Sequence, residues 1–241
     1  MSNEYIISLA LIIFISNNCV AQDLASVLTR HNQVTGYSVL EKVVTVCIEG
    51  EIEMNIMNQI YIDNYKTSIK RPGSLFTESE FMGRKLWSRF DGSKFVSNTG
   101  RQDTLYKSID VIKYRLETDF GCIYSYYLTN QIQSITKDTL FNKTYFKITA
   151  ITSDNYILIF YLNTISYLVE DILIPLSDPK TGNTYTNEIR YSDFKNIEGI
   201  VIPFKEENYY NGKLNQIKRK KKVKLNCNVN NALFVESQEV N

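Results

Sequence analysis

Residues Ile189–Leu225 have the sequence IRYSDFKNIEGIVIPFKEENYYNGKLNQIKRKKKVKL, which contains three extended runs separated by two sharp breaks. The runs are rich in Ile, Val, Tyr and Phe, the residues that favour strands. The dipeptide Asn211–Gly212 is a strong two-residue hairpin signal, because both residues adopt positive φ readily. The segment therefore predicts three consecutive antiparallel strands near the end of the chain, the last of them strongly basic.

A period of two residues is clearest in the segment VVTVCIEGEIEM, at positions 43–54. Alternation of this kind indicates a strand with one dry and one wet face. The apolar face consists of Val44, Val46, Ile48, Ile52 and Met54. The other face carries Glu49, Glu51 and Glu53, and we expect these carboxylates to face water rather than to form an acid–base pair.

Similar runs separated by short turns recur through the rest of the chain, and two segments instead have helical spacing. Leu24, Val27, Leu28 and His31 lie on one face of a first helix that Gly36 would end. A second helix is predicted from the spacing of Leu105, Ile109, Ile112 and Leu116. About ten to eleven strands joined in sequence, without βαβ alternation, predict a mainly β fold: an unclosed antiparallel β-barrel with two or three helices covering its concave face.

The chain divides into a leader and one domain. Residues 1–21 have a short apolar core followed by small residues, which predicts a secretory signal peptide and export to the periplasm, although no basic residue precedes the core. A lipid anchor on Cys19 is the alternative. Residues 22–241 are long enough for a single half-barrel domain. A net charge of +1 gives no general attraction to nucleic acid, so none is expected as a partner.

Catalytic and metal-binding patterns are missing from the sequence. His31 is the only histidine, no nucleophile motif of the GxSxG type occurs, and no glycine-rich phosphate loop is present. Cys47, Cys122 and Cys227 remain after the leader and have no CxxC spacing, so at most one disulfide with one thiol left over is possible. We therefore expect no enzyme activity, no metal site and no cofactor.

Several motifs carry a resemblance to a known family. They are VTGYSVLEKV before a strand containing EGEIE, KRPGSLFTESEFMGRKLWSRFDGSKF, YFKITAI, YSDFKNIEGIVIPF and LNCNVNNALF. Together they span nearly all of the chain after the leader. The sequence resembles the outer-membrane lipoprotein-sorting proteins, the periplasmic lipoprotein-carrier-like family of Gram-negative bacteria.

The resemblance implies an open barrel whose helices plug the concave side, where such proteins bind acyl chains or other lipid groups. Arg71 is the nearest match to the arginine that latches the lid in true carriers. The residues that we expect to line the cavity are Val44, Val46, Ile48, Ile52, Met54, Trp87, Phe146, Ile148 and Phe160. The alternative for this apolar set is an ordinary packed core.

The basic run in the last predicted strand has two interpretations. Lys218, Arg219, Lys220, Lys221 and Lys222 could dock the protein on an anionic membrane surface or on an acidic outer-membrane partner. Alternatively, the charges protect a sheet edge from aggregation.

Two functions follow for the whole chain. The first is a carrier that shields a lipid or the acyl chain of a lipoprotein in an apolar half-barrel cavity. The second is an envelope scaffold with the same fold and a filled core, which binds another protein through a sheet edge or the basic strand.

Overall fold

A single antiparallel sheet of twelve strands forms the body of the protein. The computed structural model describes residues 24–56, 59–92, 94–98, 104–123, 129, 131–177 and 181–234. The strands are β1 Thr45–Ile56, β2 Gln59–Lys70, β3 Ser74–Phe81, β4 Arg84–Phe90, β5 Phe95–Ser97, β6 Ile132–Leu140, β7 Lys143–Ile151, β8 Ile157–Asn163, β9 Val169–Ser177, β10 Thr184–Ile197, β11 Ile200–Tyr210 and β12 Lys213–Leu225.

The order of the strands is β5-β4-β3-β2-β1-β12-β11-β10-β9-β8-β7-β6. Pairing of β1 with β12 joins the first and last strands in the middle of the sheet. The edges, β5 and β6, are consecutive in sequence, and the sheet order does not pair them. The predicted unclosed antiparallel barrel is therefore confirmed.

The strand count is slightly higher than the ten to eleven predicted, because the sequence reading missed β6. This edge strand pairs with β7 alone and leaves much of its surface exposed. Its sequence, IQSITKDTL, contains few apolar residues and no continuous apolar face. Hydrophobic periodicity is weak wherever a strand buries little surface, which explains the omission.

Within the described residues, three helices accompany the sheet. Helix α1 covers residues 24–35, α2 is Tyr37–Leu40 and α3 is Thr104–Thr118. A 3-10 turn, Asn231–Phe234, follows β12. Gly36 separates α1 from α2 with a φ of 70°, the left-handed conformation expected of a helix-ending glycine.

Helices and sheet enclose two neighbouring hydrophobic clusters. The first joins residues of α1 and α3 to the inner faces of β7 to β10: Val27, Leu28, Ile112, Leu116, Ile123, Ile148, Ala150, Leu158, Phe160, Leu162, Val169, Ile172, Ile174, Leu176, Ile189 and Tyr191. The second joins α2 to β1–β4 and β11: Tyr37, Leu40, Val43, Val46, Ile48, Tyr65, Ile69, Leu75, Phe90, Phe120, Cys122, Ile200, Ile202 and Phe204. Helix α3 thus lies over the concave side of the sheet.

One disulfide, between Cys47 and Cys227, ties β1 to the segment after β12. The third cysteine, Cys122, is buried and outside the disulfide. The Cys47–Cys227 pair is one of the pairings that the odd number of cysteines allowed. None of the helices in the described part of the chain is long and apolar enough to cross a bilayer. The predicted signal peptide and the alternative anchor at Cys19 lie outside the described residues.

Candidate functional site

Helix α3 contacts the concave face of the sheet through apolar and polar side chains. Ile112 and Leu116 are buried in the first hydrophobic cluster. Tyr114, on the other side of the helix, lies with its hydroxyl 2.6 Å from Ser88 Oγ on β4, and its ring stacks against Phe90 and Phe95. The helix therefore packs against both halves of the curled sheet and covers the space between them.

Three ion pairs hold the C-terminal half of α3 and the residue after it. Glu117 Oε2 accepts a hydrogen bond from Lys218 Nζ at 3.0 Å. Arg71, at the end of β2, donates to Asp119 Oδ1 at 3.2 Å. Arg115 donates to Asp154, which follows β7, at 2.9 Å. Each pair ties the helix end to a different part of the sheet, so this end is latched by charge as well as by packing.

Arg71 was the nearest sequence match to a lid-latching arginine. The structure places its guanidinium in contact with the end of α3, and its side chain is largely buried. An ion pair in this setting gains more from Coulomb attraction than an exposed one, because solvent screens it less. The contact therefore ties the end of β2 to the residue that follows α3.

Beneath Glu117, the concave face carries a buried polar cluster instead of a continuous apolar lining. Lys218 and Lys220 on β12 lie beside Glu206 and Asn208 on β11. Lys220 Nζ donates to the Pro203 carbonyl at 2.8 Å. Asn208 Nδ2 donates to Glu206 Oε1 at 2.8 Å. Two lysines and two carboxylates, counting Glu117, thus meet where helix and sheet face each other.

Tyr65 on β2 forms the apolar side of this cluster. Its ring centroid is 6.0 Å from Lys218 Nζ, and the side chain packs against Gly50 on β1. A Cβ on Gly50 would lie 2.6 Å from a Tyr65 ring carbon, so only glycine leaves room for the ring. Within the described residues, Tyr65 Oη and Asn208 Oδ1 have no hydrogen-bond partner.

Burial and mutual attraction set the charge states in the cluster. Burial lowers the pKa of the Lys218 ammonium, but Glu117 and Glu206 outweigh this and hold that pKa well above its usual value. Burial also lowers the pKa of Lys220, and Glu206 compensates only in part. Burial would raise the pKa of Glu206, yet the two lysines bring it below its usual value. The shifts of Lys218 and Glu206 therefore both favour the charged, mutually paired forms of these two groups.

A pocket of about 320 Å³ lies beside the end of α3. Residues from both sides of the unclosed seam line it: Pro72, Gly73, Phe90 and Gly92 from the β2–β5 side, Thr129, Gln131, Thr152 and Ser153 from the β6–β8 side, and Arg115, Thr118 and Asp119 from the helix. We call this the seam pocket. Thr118 and Asp119 directly follow Glu117 in sequence, so the pocket and the charged cluster both involve the C-terminal end of α3.

The residues predicted to line a cavity fall into three groups. Val46, Ile48, Ile148 and Phe160 are completely buried in the two hydrophobic clusters, on the concave side. Ile52, Met54 and Phe146 are half-buried. Ile52 packs at the edge of the second cluster, opposite Lys218, and Phe146 packs against the first.

Val44 and Trp87 lie elsewhere and do not line the concave side. Val44 precedes β1 and is 60% exposed. The orientation of Trp87 follows from the alternation of side chains along β4. Its neighbour Ser88 faces α3, so Trp87 points to the convex face. There it stacks on Phe76, with ring centroids 6.5 Å apart.

The prediction of a basic docking surface is wrong for two of its five residues. Lys218 and Lys220 point inward, and Lys220 is only 7% exposed. The reason is the alternation of a strand, which sends every second side chain of a charged run to the other face. Arg219, Lys221 and Lys222 remain on the outer face of β12. Lys221 and Lys222 can both lie there because Lys221 is the extra residue at a register shift between β1 and β12.

Carboxylates of β1 oppose those outer charges. Arg219 donates to Glu53 at 2.8 Å, and Lys221 lies 2.6 Å from Glu51. Lys222 is the cross-strand neighbour of Glu49. The three glutamates therefore do lie on the wet face, where they reduce the positive field that an anionic membrane would experience.

His31 is a buried structural residue. Its Nδ1 donates to the Tyr167 carbonyl at 2.7 Å, which leaves Nε2 as the acceptor for the Ile123 amide at 3.3 Å. Cys122 Sγ lies 3.4 Å from the same Nε2. Burial lowers the pKa of His31 to about 4, so the ring is neutral at neutral pH. Among the described residues, no group of three or more His, Cys, Asp or Glu side chains could hold a metal ion.

Sequence reasoning missed Glu117, Glu206 and Asn208. Glu117 lies on α3, a helix that was predicted from the spacing of its apolar residues alone. The other two lie at alternate positions in IVIPFKEENYY, where polar residues interrupt an apolar face. That interruption, in the strand directly before the basic run, was the available signal that charges meet inside.

A curled antiparallel sheet with a helix latched across its open side defines the architecture of this protein. No family model and no curated protein matches its sequence. Among solved structures, the chain is similar to a LolA superfamily protein from Nitrosomonas europaea, with 13% identity, a TM-score of 0.56 and coverage of 84% of this chain and 98% of that chain.

Two further structures have the same kind of similarity. One is a DUF1329 family protein from Desulfovibrio piger, with 9% identity, a TM-score of 0.52 and coverage of 86% of this chain and 96% of that chain. The other is an outer membrane lipoprotein-sorting protein domain from Vibrio parahaemolyticus, with 7% identity, a TM-score of 0.46 and coverage of 84% and 96%. The similarity to the LolA superfamily protein confirms the fold that the sequence resemblance implied, and it shows the fold alone.

Proposed function

We propose that this protein is an exported carrier that takes up a lipid, or the acyl chain of a lipoprotein, between the concave face of its sheet and helix α3. The observation that carries the proposal is the position of α3. The helix covers the open side of the barrel, is latched at one end by Glu117–Lys218 and Asp119–Arg71, and borders the seam pocket. Such a helix can act as a lid whose release exposes an apolar surface.

The apolar surface beneath the helix is suited to an acyl chain. Each methylene that leaves water contributes about 0.8 kcal/mol, so a long chain gives substantial affinity before ordering costs. In the latched state, Val46, Ile48, Ile148 and Phe160 are covered by the protein's own atoms. The seam pocket alone is near the lower limit of about 300 Å³ for ligand pockets, so a complete chain requires movement of α3.

Export is supported by the leader pattern and by the Cys47–Cys227 disulfide, since disulfides persist in oxidising compartments such as the periplasm. The LolA superfamily fold adds support for an envelope role.

The complete burial of Val46, Ile48, Ile148 and Phe160 also favours the second candidate, a scaffold with a filled core. Native mass spectrometry after purification without detergent separates the two. A carrier is expected to retain lipid masses that disappear after organic extraction and return on incubation with lipid. A protein that stays at its own mass, and takes up no lipid when incubated with it, would be the scaffold.

A further inference from the structure

Lys218 lies in an unusual place for a lysine, on the concave face of the sheet and beneath the lid. Its side chain is 15% exposed, and that of Glu117, its partner on α3, is 8% exposed. A buried ammonium without a partner is costly, because it loses its hydration shell and gains nothing in return. In the closed state, the partner that the Lys218 ammonium needs is the carboxylate of Glu117, which belongs to the moving helix.

The neighbouring charges cannot replace Glu117. Among the described residues, Glu206 is the only other carboxylate that acts on Lys218, and it also acts on Lys220. Lys220 makes one more hydrogen bond, which it donates to the Pro203 carbonyl. When α3 leaves, two lysines of the sheet share one carboxylate, and Lys218 lacks its direct ion pair.

We infer that the cargo is an anionic amphiphile, whose acidic head group takes the place of Glu117 at Lys218 while its chain occupies the apolar surface under α3. This inference rests on the proposed carrier function and names its substrate class. A carboxylate or a phosphate monoester supplies the required oxygen atoms. A neutral lipid of the same length offers no charge to the uncovered lysine.

Two further observations fit an oxygen-rich head group at this position. Tyr65 Oη and Asn208 Oδ1 are buried beside the lysines and, within the described part of the chain, have no hydrogen-bond partner. Tyr65 provides a donor toward a head-group oxygen, and Asn208 provides an acceptor for a head-group hydroxyl. Thr118, which follows Glu117 in sequence, lines the seam pocket, and this pocket is the proposed route of entry.

The test compares ligands of equal chain length on the delipidated protein: hexadecanoate, hexadecyl phosphate and hexadecanol, with affinities measured by calorimetry or native mass spectrometry. Charge-assisted hydrogen bonds predict that the two anions bind about ten- to a hundredfold more tightly than the alcohol. The two anionic probes also distinguish a carboxylate site from a phosphate site by their relative affinity.

Three variants test whether Lys218 is the source of the preference for anionic ligands. Lys218→Met combined with Glu117→Gln removes both charges, so the lid does not retain an unpaired carboxylate, and we expect equal binding of anion and alcohol. Glu117→Gln alone removes the competing carboxylate and should tighten the binding of the anions. Lys222→Met makes the same change on the outer face of β12 and should leave all affinities unchanged. Circular dichroism and thermal melting establish that each variant is folded.

The outcomes are separable. If the wild-type protein binds the anions and the alcohol equally, the carrier function stands and the anionic cargo is excluded. The same conclusion holds if the folded double variant keeps the preference. If the protein binds none of the probes, the carrier function and the anionic cargo are both overturned.

Discussion

The ammonium of Lys218 on β12 lies 3.0 Å from the carboxylate of Glu117 on α3, although 101 positions separate the two residues in sequence. This contact joins α3 to β12 in the middle of the sheet, where β12 pairs with β1. The position of α3 therefore depends on a buried ion pair. Removing both partners of such a pair changes stability little, whereas removing one partner is strongly destabilising.

Removal of one partner should therefore destabilise the protein strongly. We expect Lys218→Met to lower the free energy of unfolding by about 3–5 kcal/mol, because Glu117 remains buried without its cation. Addition of Glu117→Leu should recover much of the loss, and urea denaturation of the single and double variants gives the coupling energy. The matched control is Lys222→Met on the outer face, expected within about 0.5 kcal/mol of wild type. A loss for Lys222→Met as large as for Lys218→Met would contradict the assignment.

The inward position of Lys218 illustrates what could not be predicted from the sequence. The alternation of β1 was evident, because its apolar and acidic residues occupy opposite faces. A run of five basic residues has no such contrast, so the alternation inside β12 is invisible unless its partner strands are known. A bulge at Glu49 and Gly50 also shifts the register of β1 on β12. Only the pairing with Glu206 on β11 identifies the inner lysines.

The prediction was most successful where burial is one-sided and strong. The α1 face of Val27, Leu28 and His31 is buried as its spacing indicated. Asn211 and Gly212 form the expected hairpin turn, with φ values of 48° and 73°. Strand β6 was missed because an edge strand buries few side chains and so shows little hydrophobic periodicity. The convex position of Trp87 was missed because an amphipathic ring occurs on either face of a sheet.

His31 should make the protein less stable in mild acid. Burial lowers its pKa from 6.5 to about 4, so protonation between these values favours the unfolded state. The stabilisation is complete above pH 6.5 and decreases as the pH falls toward 4, by about 3 kcal/mol in the limit. His31→Asn retains a donor for the Tyr167 carbonyl and removes the titration. Urea denaturation across this range should show a smaller decrease for the variant; parallel curves would disprove the assignment.

Asp171 should have the opposite pH dependence. Burial, together with the adjacent Glu188, raises the pKa of Asp171 from 3.8 to about 8, while Arg190 opposes the shift. Since the folded state favours the protonated carboxyl, its contribution is complete below pH 3.8 and is lost as the pH rises through 8. Asp171→Asn should therefore gain stability relative to wild type as the pH increases from about 4 to 8. A constant difference between their melting temperatures over this range would refute the raised pKa.

Reduction of the Cys47–Cys227 disulfide should weaken the whole fold, because it connects residues 180 positions apart and encloses nearly all of the sheet. Closing so long a loop restricts the unfolded chain, and loss of such a bond typically costs about 2–5 kcal/mol. We expect Cys47→Ser/Cys227→Ser to lower the melting temperature to the value that wild type has in dithiothreitol. Addition of the reductant to the double variant is the control and should change nothing, since Cys122 is a buried thiol in both proteins. Equal melting temperatures for oxidised and reduced wild type would show that the bond does not contribute to stability.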